Sequence, residues 1–436
     1  MARRLVLALA LALGGVSAGA EPVQMRAPEL LAFGEAALQR GFADQALGVA
    51  EALLRRDAGD VGALILRAQG LRMKGRYPES AEAARRAWRL AEGKGPRYAA
   101  ATALAQALSL QGHRLRAQYW LRQAVQNAPS GAAGAQALQD LRYVRGETPL
   151  ALRFDLALQP SDNVNGGAKV DSVELMGVSF PLPARLTSLS GLGWSLGVQG
   201  DYRLAADPGG ETALTFGLQR SGAALSAEAK ALGAQEGDLD FLHLGLGIAR
   251  KMRGGDKLAL DLGRNWYGGA DLSATLGLTG TLSREIGPGE ASFSLSLTRE
   301  MRLDQPGASS SQGRIAVTYA LNGPGGDQWA LGASLMAARS GEDTVARQEA
   351  GLSLDWQAAR PLGGMALAAH LGVNGANYRS GRTEGRLRAS LEAEITRASW
   401  LGFAPVLAVN WARGNSNSLI HDTESLGLAL TIRSRF

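Results

Sequence analysis

Residues 426–436 read LGLALTIRSRF. Leu426, Leu428, Leu430, Ile432 and Phe436 fall on one parity, and Gly427, Ala429, Thr431, Arg433 and Arg435 on the other. Strict alternation is the period of a strand with one apolar and one polar face. Taken alone, the segment fits an ordinary edge strand that ends in Phe equally well. What lies upstream decides between the two.

The pattern recurs from Leu150 onward. Leu258, Leu260 and Leu262 alternate with Ala259, Asp261 and Gly263, and Phe293, Leu295 and Leu297 with Ser292, Ser294 and Ser296. Ile315, Val317, Tyr319 and Leu321 alternate with Arg314, Ala316, Thr318 and Ala320. Leu387, Leu391 and Ile395 alternate with Arg388, Glu392 and Glu394. A soluble sandwich also alternates, but its inner face would not carry Arg388, Glu392 and Glu394. Polar-in and apolar-out is the arrangement of a membrane barrel. Such segments number about 14, and a single-chain barrel needs an even number.

The connectors point the same way. Asp207–Gly210, Arg253–Asp256, Gly287–Gly289, Gly323–Gly326, Pro361–Gly364 and Thr396–Ser399 are short, and most are built from the Gly and Pro of tight turns. Between them lie generally longer, polar connectors: Pro160–Leu189, Ser221–Asp238, Arg302–Gln312, Ser340–Arg347 and Arg413–Glu424, with Tyr267–Asp271 and Arg379–Glu384 shorter. Short turns on one rim and long loops on the other is the layout of bacterial barrels, with the turns in the periplasm. Trp266, Tyr267, Trp329, Trp356, Tyr378, Trp400 and Trp411 sit near strand ends, where an aromatic girdle belongs. The final segment resembles the closing strand of bacterial outer-membrane β-barrels. That resemblance implies that Phe436 is part of the signal read by the barrel-assembly machinery.

Apart from the N-terminus, no stretch is long and apolar enough for a membrane-spanning helix. At the N-terminus, Arg3 and Arg4 precede an apolar run from Leu5 to Val16 and an A-x-A site at Ala18-Gly19-Ala20. This reads as a secretory signal peptide over residues 1–20, with a retained anchor as the alternative. The chain has no Cys, hence neither a lipidation site nor a disulfide framework. Its 57 Gly and its net charge of +6 need placing. Residues 21–149 hold 18 Lys and Arg against 12 Asp and Glu, so the basic excess lies outside the alternating region. A solvated helical surface accounts for most of it. No aromatic-basic interleaving argues for nucleic acid.

Residues 28–145 are rich in Ala, Leu and Arg, with helical period and an internal repeat. Gly41-Phe42-Ala43-Asp44-Gln45-Ala46 aligns with Gly75-Arg76-Tyr77-Pro78-Glu79-Ser80 and with Gly112-His113-Arg114-Leu115-Arg116-Ala117. Small or apolar residues follow at Ala84 and Ala87, and at Leu121 and Ala124. This resembles the tetratricopeptide repeat; a non-repeating helical bundle is the alternative. Ala135–Val144 would cap the stack. Three repeats make a short solenoid whose concave face takes an extended peptide or a helix. Glu35, Gln69, Arg72, Gln106 and Ser109 are the expected groove positions, and each could equally be a solvated surface residue.

No catalytic or metal constellation emerges. His113, His243, His370 and His421 are scattered, no phosphate-cradling or nucleophile-elbow motif occurs, and no cofactor is expected. A Ser/His/Asp set on barrel strands is the remaining enzymatic alternative.

The expected organisation is a signal peptide (1–20), an all-α tetratricopeptide-like unit (21–147) and an all-β antiparallel transmembrane barrel of about 14 strands (148–436). That plan resembles the Slam family, the surface lipoprotein assembly modulators of Gram-negative bacteria. Pro160-Ser161-Asp162-Asn163-Val164-Asn165 resembles the family's Asp-Asn-hydrophobic-Asn stretch after the first strand, which singles out Asp162, Asn163 and Asn165. Ser190–Gly193 through Tyr202-Arg203 resembles its second strand. The resemblance implies an outer-membrane protein with a periplasmic N-terminal unit, which delivers protein or lipoprotein clients to the cell surface. The implied partners are outer-membrane lipid, the barrel-assembly machinery and the client; the barrel is expected to be monomeric. The lumen, with Arg386, Arg388, Glu392 and Glu394 on its wall, would be polar in both signs. A polysaccharide-export porin and a solute porin with a periplasmic helical unit are the rival readings.

Overall fold

The computed structural model describes residues 25–175 and 178–434. Residues 1–20, expected to form a signal peptide, and Phe436 lie outside the described residues. The chain divides between Thr148 and Pro149 into two compact units.

Among its described residues the first unit holds seven helices: α1 (Ala27–Gln39), α2 (Ala43–Arg56), α3 (Val61–Met73), α4 (Tyr77–Leu90), α5 (Lys94–Leu110), α6 (Arg114–Gln126) and α7 (Gly131–Glu147). The three repeat glycines, Gly41, Gly75 and Gly112, sit between α1 and α2, α3 and α4, and α5 and α6, all with φ between 75° and 85°. Each ends its helix by the same device. The amide after the glycine donates back into the last turn: Phe42 to the Ala37 carbonyl at 2.8 Å, Arg76 to Leu71 at 2.9 Å, His113 to Leu108 at 2.9 Å. This six-to-one closure needs a left-handed residue, where a Cβ is costly. The repeat is therefore structural as well as sequential, and α7 follows it as the seventh helix.

Small residues set the helix spacing. Ala46, Ala50, Ala68, Ala84, Ala87, Ala100, Ala107 and Ala117 are fully buried, with Leu64, Leu66, Leu104, Leu121 and Leu141 filling the gaps. A Cβ on Gly34 would lie 2.5 Å from Leu66 Cδ2. Asp60 and Ser130 cap α3 and α7 through the amides of Ala63 and Ala133.

The second unit is a closed antiparallel barrel of 14 strands. Its strands are β1 (Leu150–Ser161), then β4 (Gly191–Asp207), β5 (Gly210–Leu225), β6 (Phe241–Met252), β7 (Lys257–Tyr267), β8 (Ala270–Ile286), β9 (Gly289–Arg302) and β10 (Ser310–Asn322). They continue with β11 (Gln328–Ser340), β12 (Arg347–Gln357), β13 (Met365–Tyr378), β14 (Thr383–Ile395), β15 (Phe403–Ser416) and β16 (Thr423–Ser434). Chain neighbours pair throughout, and β16 returns to β1 through Ala157–Thr431, Leu158–Leu430 and Ser161–Gly427. Pro160, without an amide hydrogen, interrupts that last ladder.

The alternation sorts as the sequence implies. Phe154, Leu260, Leu262, Leu295, Ile315, Leu335, Leu391, Leu428 and Ile432 all lie exposed on the outer surface. An outer wall this apolar is stable only in lipid, and closure removes the unpaired strand edges that lipid forbids. The short connectors all fall on the rim where β1 begins. Trp329 and Trp356 meet there on the outer face, ring centroids 6.3 Å apart. Tyr378 is a correction to the girdle: it shares the inward parity of His370 and Asn374 on β13, and the Arg382 guanidinium stacks on it at 3.7 Å. An aromatic at a strand end faces whichever side its parity dictates.

The opposite rim carries structure that alternation does not reveal. Between β1 and β4 lies a hairpin, β2 (Ser172–Leu175) and β3 (Val178–Pro181). The β5–β6 loop holds a short helix, α8 (Ala227–Ala231). The β7–β8 connector, by contrast, is only Gly268-Gly269, both with positive φ.

Candidate functional site

Three places carry the expected functional residues. In the helical unit, Glu35 lies on α1, Gln69 and Arg72 on α3, and Gln106 and Ser109 on α5. These are the first helices of the three repeats, and α3 packs against both α1 and α5. Glu35 is exposed and the other four are half-buried. Spacings of three and four keep Gln69 with Arg72, and Thr102 with Gln106 and Ser109, on one helix face. Arg72 Nε and Thr102 Oγ1 are buried without a hydrogen-bond partner among the described residues. Sequence reasoning missed Thr102, because a Thr inside a helix gives no signal of its own.

At the long-loop rim, Asp162, Asn163 and Asn165 organise the β1–β4 loop. Asp162 Oδ1 accepts the Leu426 amide at 2.9 Å, extending the β1–β16 seam by one side chain. Asn163 is buried. Its Oδ1 accepts the Gly167 amide at 2.8 Å, and its Nδ2 donates to the Gly167 carbonyl at 3.0 Å and the Glu424 carbonyl at 2.9 Å. Asn165 Oδ1 accepts the Leu189 amide at 2.9 Å, and its Nδ2 donates to the Thr187 carbonyl at 2.8 Å. Both donors of Asn163 are thus used within the fold. Gly167 is required as well: a Cβ there would sit 2.1 Å from the Thr187 carbonyl oxygen. Lys169 ion-pairs with Glu424. Val164 packs with Leu189, Ala223, Leu225 and Ala229, so the β1–β4 and β5–β6 loops share a small apolar core. The motif anchors a folded loop to the closing strand rather than presenting free polar groups.

In the β5–β6 loop, Glu236 accepts the Leu225 amide and pairs with Lys230 at 2.8 Å. The Lys230 hydrogen bond, then that amide, hold its carboxyl below the usual carboxylate range. At the same rim, His421 Nε2 meets the Arg382 guanidinium at 2.6 Å. Burial, then Arg382, push its pKa below the ordinary histidine value, so the neutral ring accepts from Arg382.

On the barrel wall, Arg386, Arg388, Glu392 and Glu394 share the inward face of β14. They divide along the strand. Glu392, near the short-turn rim, lines a cavity of about 710 Å³ with Glu285, Glu290, Asp355, His370 and Arg433. Arg433 reaches Glu392 at 2.7 Å and His370 Nδ1 meets Asp355 at 2.6 Å, while Glu285 and Glu290 face each other across the β8–β9 ladder. Arg386 and Arg388, nearer the loops, line a second cavity of about 540 Å³ with Arg314, Arg347, Glu349 and Glu384. The first band is acidic and the second basic. Arg314 reads only as one polar residue of an alternating strand, and Glu285, Glu290 and Asp355 give no local signal, because their grouping needs the register from β8 to β14. The wall of β4 to β8 has Gly197, Gly217, Gly245, Gly247, Gly263 and Gly277 on the inward parity, interspersed with Asp201, Gln219, His243, Asp261 and Asn265.

An apolar outer wall, a closed ladder and a polar interior define a membrane-spanning β-barrel of the outer-membrane type, preceded by a tetratricopeptide-like helical unit. No family model matches the chain, and no curated protein matches it. Solved structures resemble it in parts. The first tetratricopeptide domain of human RPAP3 matches 28% of this chain and 93% of its own, at 13% identity and a TM-score of 0.25. The type III secretion translocator chaperone SycD of Yersinia enterocolitica matches 28% and 83%, at 17% identity and a TM-score of 0.25. OprB of Pseudomonas putida matches 69% and 97%, at 9% identity and a TM-score of 0.42. At such scores these likenesses carry no argument, and the class rests on the chain's own ladder and repeats.

Proposed function

We propose that this protein is an outer-membrane translocator of the Slam kind, in which the helical unit receives protein or lipoprotein clients in the periplasm and the barrel gives them a route to the surface. The observation that carries this reading is the joining, in one chain, of a repeat unit with a polar, incompletely satisfied helix face and a barrel with a polar wall. A peptide backbone offers the carbonyls and amides that Gln69, Arg72, Thr102, Gln106 and Ser109 can take up. The folded β1–β4 loop built by Asp162, Asn163 and Asn165 supports the family resemblance at the position where the motif falls. The orientation follows from the loops: long ones outside, short turns and the helical unit in the periplasm.

Surface proteomics of wild type against a strain lacking the gene tests this, with a chain lacking residues 27–145 but keeping residues 1–20 as the third arm. Both deletions should remove the same few proteins from the surface while they accumulate inside, and the shortened barrel should still insert. An unchanged surface proteome with altered exported polysaccharide would replace this reading with the export-porin one.

A further inference from the structure

We infer that Arg314, Arg386 and Arg388 form an oxyanion-binding station on the barrel wall, a site for the carboxylate or phosphate groups of whatever occupies the lumen. The inference rests on the wall alone and does not depend on which polymer is transported.

The cavity of about 540 Å³ is lined by four arginines and two glutamates. Both glutamates are already engaged. Glu349 pairs with Arg347 at 2.5 Å. Glu384 pairs with Arg382 at 3.0 Å and accepts the Tyr378 hydroxyl at 3.3 Å. Arg347 and Arg382 are in turn placed by Tyr378, whose ring both approach. Three guanidiniums remain, with neutral partners only among the hydrogen bonds of the described residues. Arg314 donates to Ser334 Oγ at 2.9 Å and Arg388 to Asn374 Oδ1 at 3.5 Å.

Arg386 and Arg388 are two residues apart on one face of β14, so their Cα atoms lie about 7 Å apart. Like charges at that spacing repel, and Glu349, near enough to act on Arg388, is itself paired with Arg347, so the fold rather than mutual attraction holds them together. Each guanidinium presents five N–H groups in a fixed fork suited to carboxylate or phosphate oxygens. The acidic band of Glu285, Glu290 and Asp355 lies toward the short-turn rim, so an anion is favoured in the basic half and disfavoured below it. On the wall of β4 to β8, Gly217 leaves open space where a Cβ would be.

Isothermal titration of the full chain in detergent, at low salt, with inorganic tripolyphosphate or with hexaglutamate tests the site. The combined variant Arg314→Gln, Arg386→Gln and Arg388→Gln should weaken binding by more than about tenfold, and Arg388→Gln alone by about threefold. Arg85→Gln with Arg89→Gln, two exposed arginines of α4, controls for the basic helical unit and should change nothing. Heat-modifiability of each variant verifies that the barrel has closed. The probe that loses more affinity tells whether the site serves free phosphate-like anions or carboxylates on an extended chain. Binding of both probes by the triple variant as by wild type, or no binding to wild type at about 1 mM, would overturn the site. So would equal losses in the α4 control.

Discussion

Placing Arg at Leu295 measures directly whether the outer wall faces lipid. Leu295 is the seventh of the 14 residues of β9 and is half exposed on the outer surface. At about 3.4 Å per residue and a tilt near 40°, it lies some 16–18 Å along the barrel axis from either end of its strand. The apolar band of such barrels is about 25 Å tall, so Leu295 falls near its middle. Arg at the bilayer midplane costs about 2–4 kcal/mol, a factor of roughly 30–900 in the folding equilibrium. Ser294, its neighbour, points inward opposite Thr281 and Ala316. There an Arg stays hydrated in a polar lumen, and its cost should be below about 1 kcal/mol. Reversible folding into phospholipid vesicles across a denaturant series gives both values. Equal costs at the two positions, or the larger one at Ser294, would refute the assignment of faces.

Further outcomes follow from the same geometry. Gly112→Ala should destabilise the helical unit by about 1–2 kcal/mol, because the left-handed closure after α5 then carries a Cβ; circular dichroism melting of the full chain reads this as loss of helix before strand. Asn163→Ala removes contacts to Gly167 and Glu424, so the β1–β4 loop should become cleavable by added protease while the barrel stays heat-modifiable. Since protonation of His421 would place a cation against Arg382, its contribution is full above about pH 6.5 and is lost as pH falls. Protease protection of the Arg382 loop should therefore weaken between neutral and acid pH in the native chain, and stay flat in His421→Gln. The chain has no Cys, so single cysteines report topology: Gln305→Cys should be labelled on intact cells and Gly325→Cys should not.

The barrel was legible because its defining property, a period of two, is written locally in each strand. The rim assignment was legible because turns demand Gly and Pro, and the repeats because the same closure recurs at Gly41, Gly75 and Gly112. What stayed hidden depends on partners distant in sequence. Asn163 reads as a motif residue, and only the fold shows its amide bonded to Glu424, 261 residues away. The lumen charges read as mixed because Arg388 and Glu392 are four residues apart on one strand; their division into bands needs Arg314, Glu290 and Asp355 from three others. Ala429 falls on the polar parity of its strand, but it is only 4% exposed, so a larger side chain there would meet packed neighbours. Tyr378 reads as a girdle residue from its place at a strand end, while its parity turns it inward.

The route itself is the central claim, and photo-crosslinking in living cells tests it most directly. A crosslinking amino acid at Gln69 and another at Arg388, each in the full chain, should trap the same polypeptide, identified by mass spectrometry and also found on the cell surface. Different polypeptides at the two positions, or polysaccharide and no polypeptide at Arg388, would contradict the account.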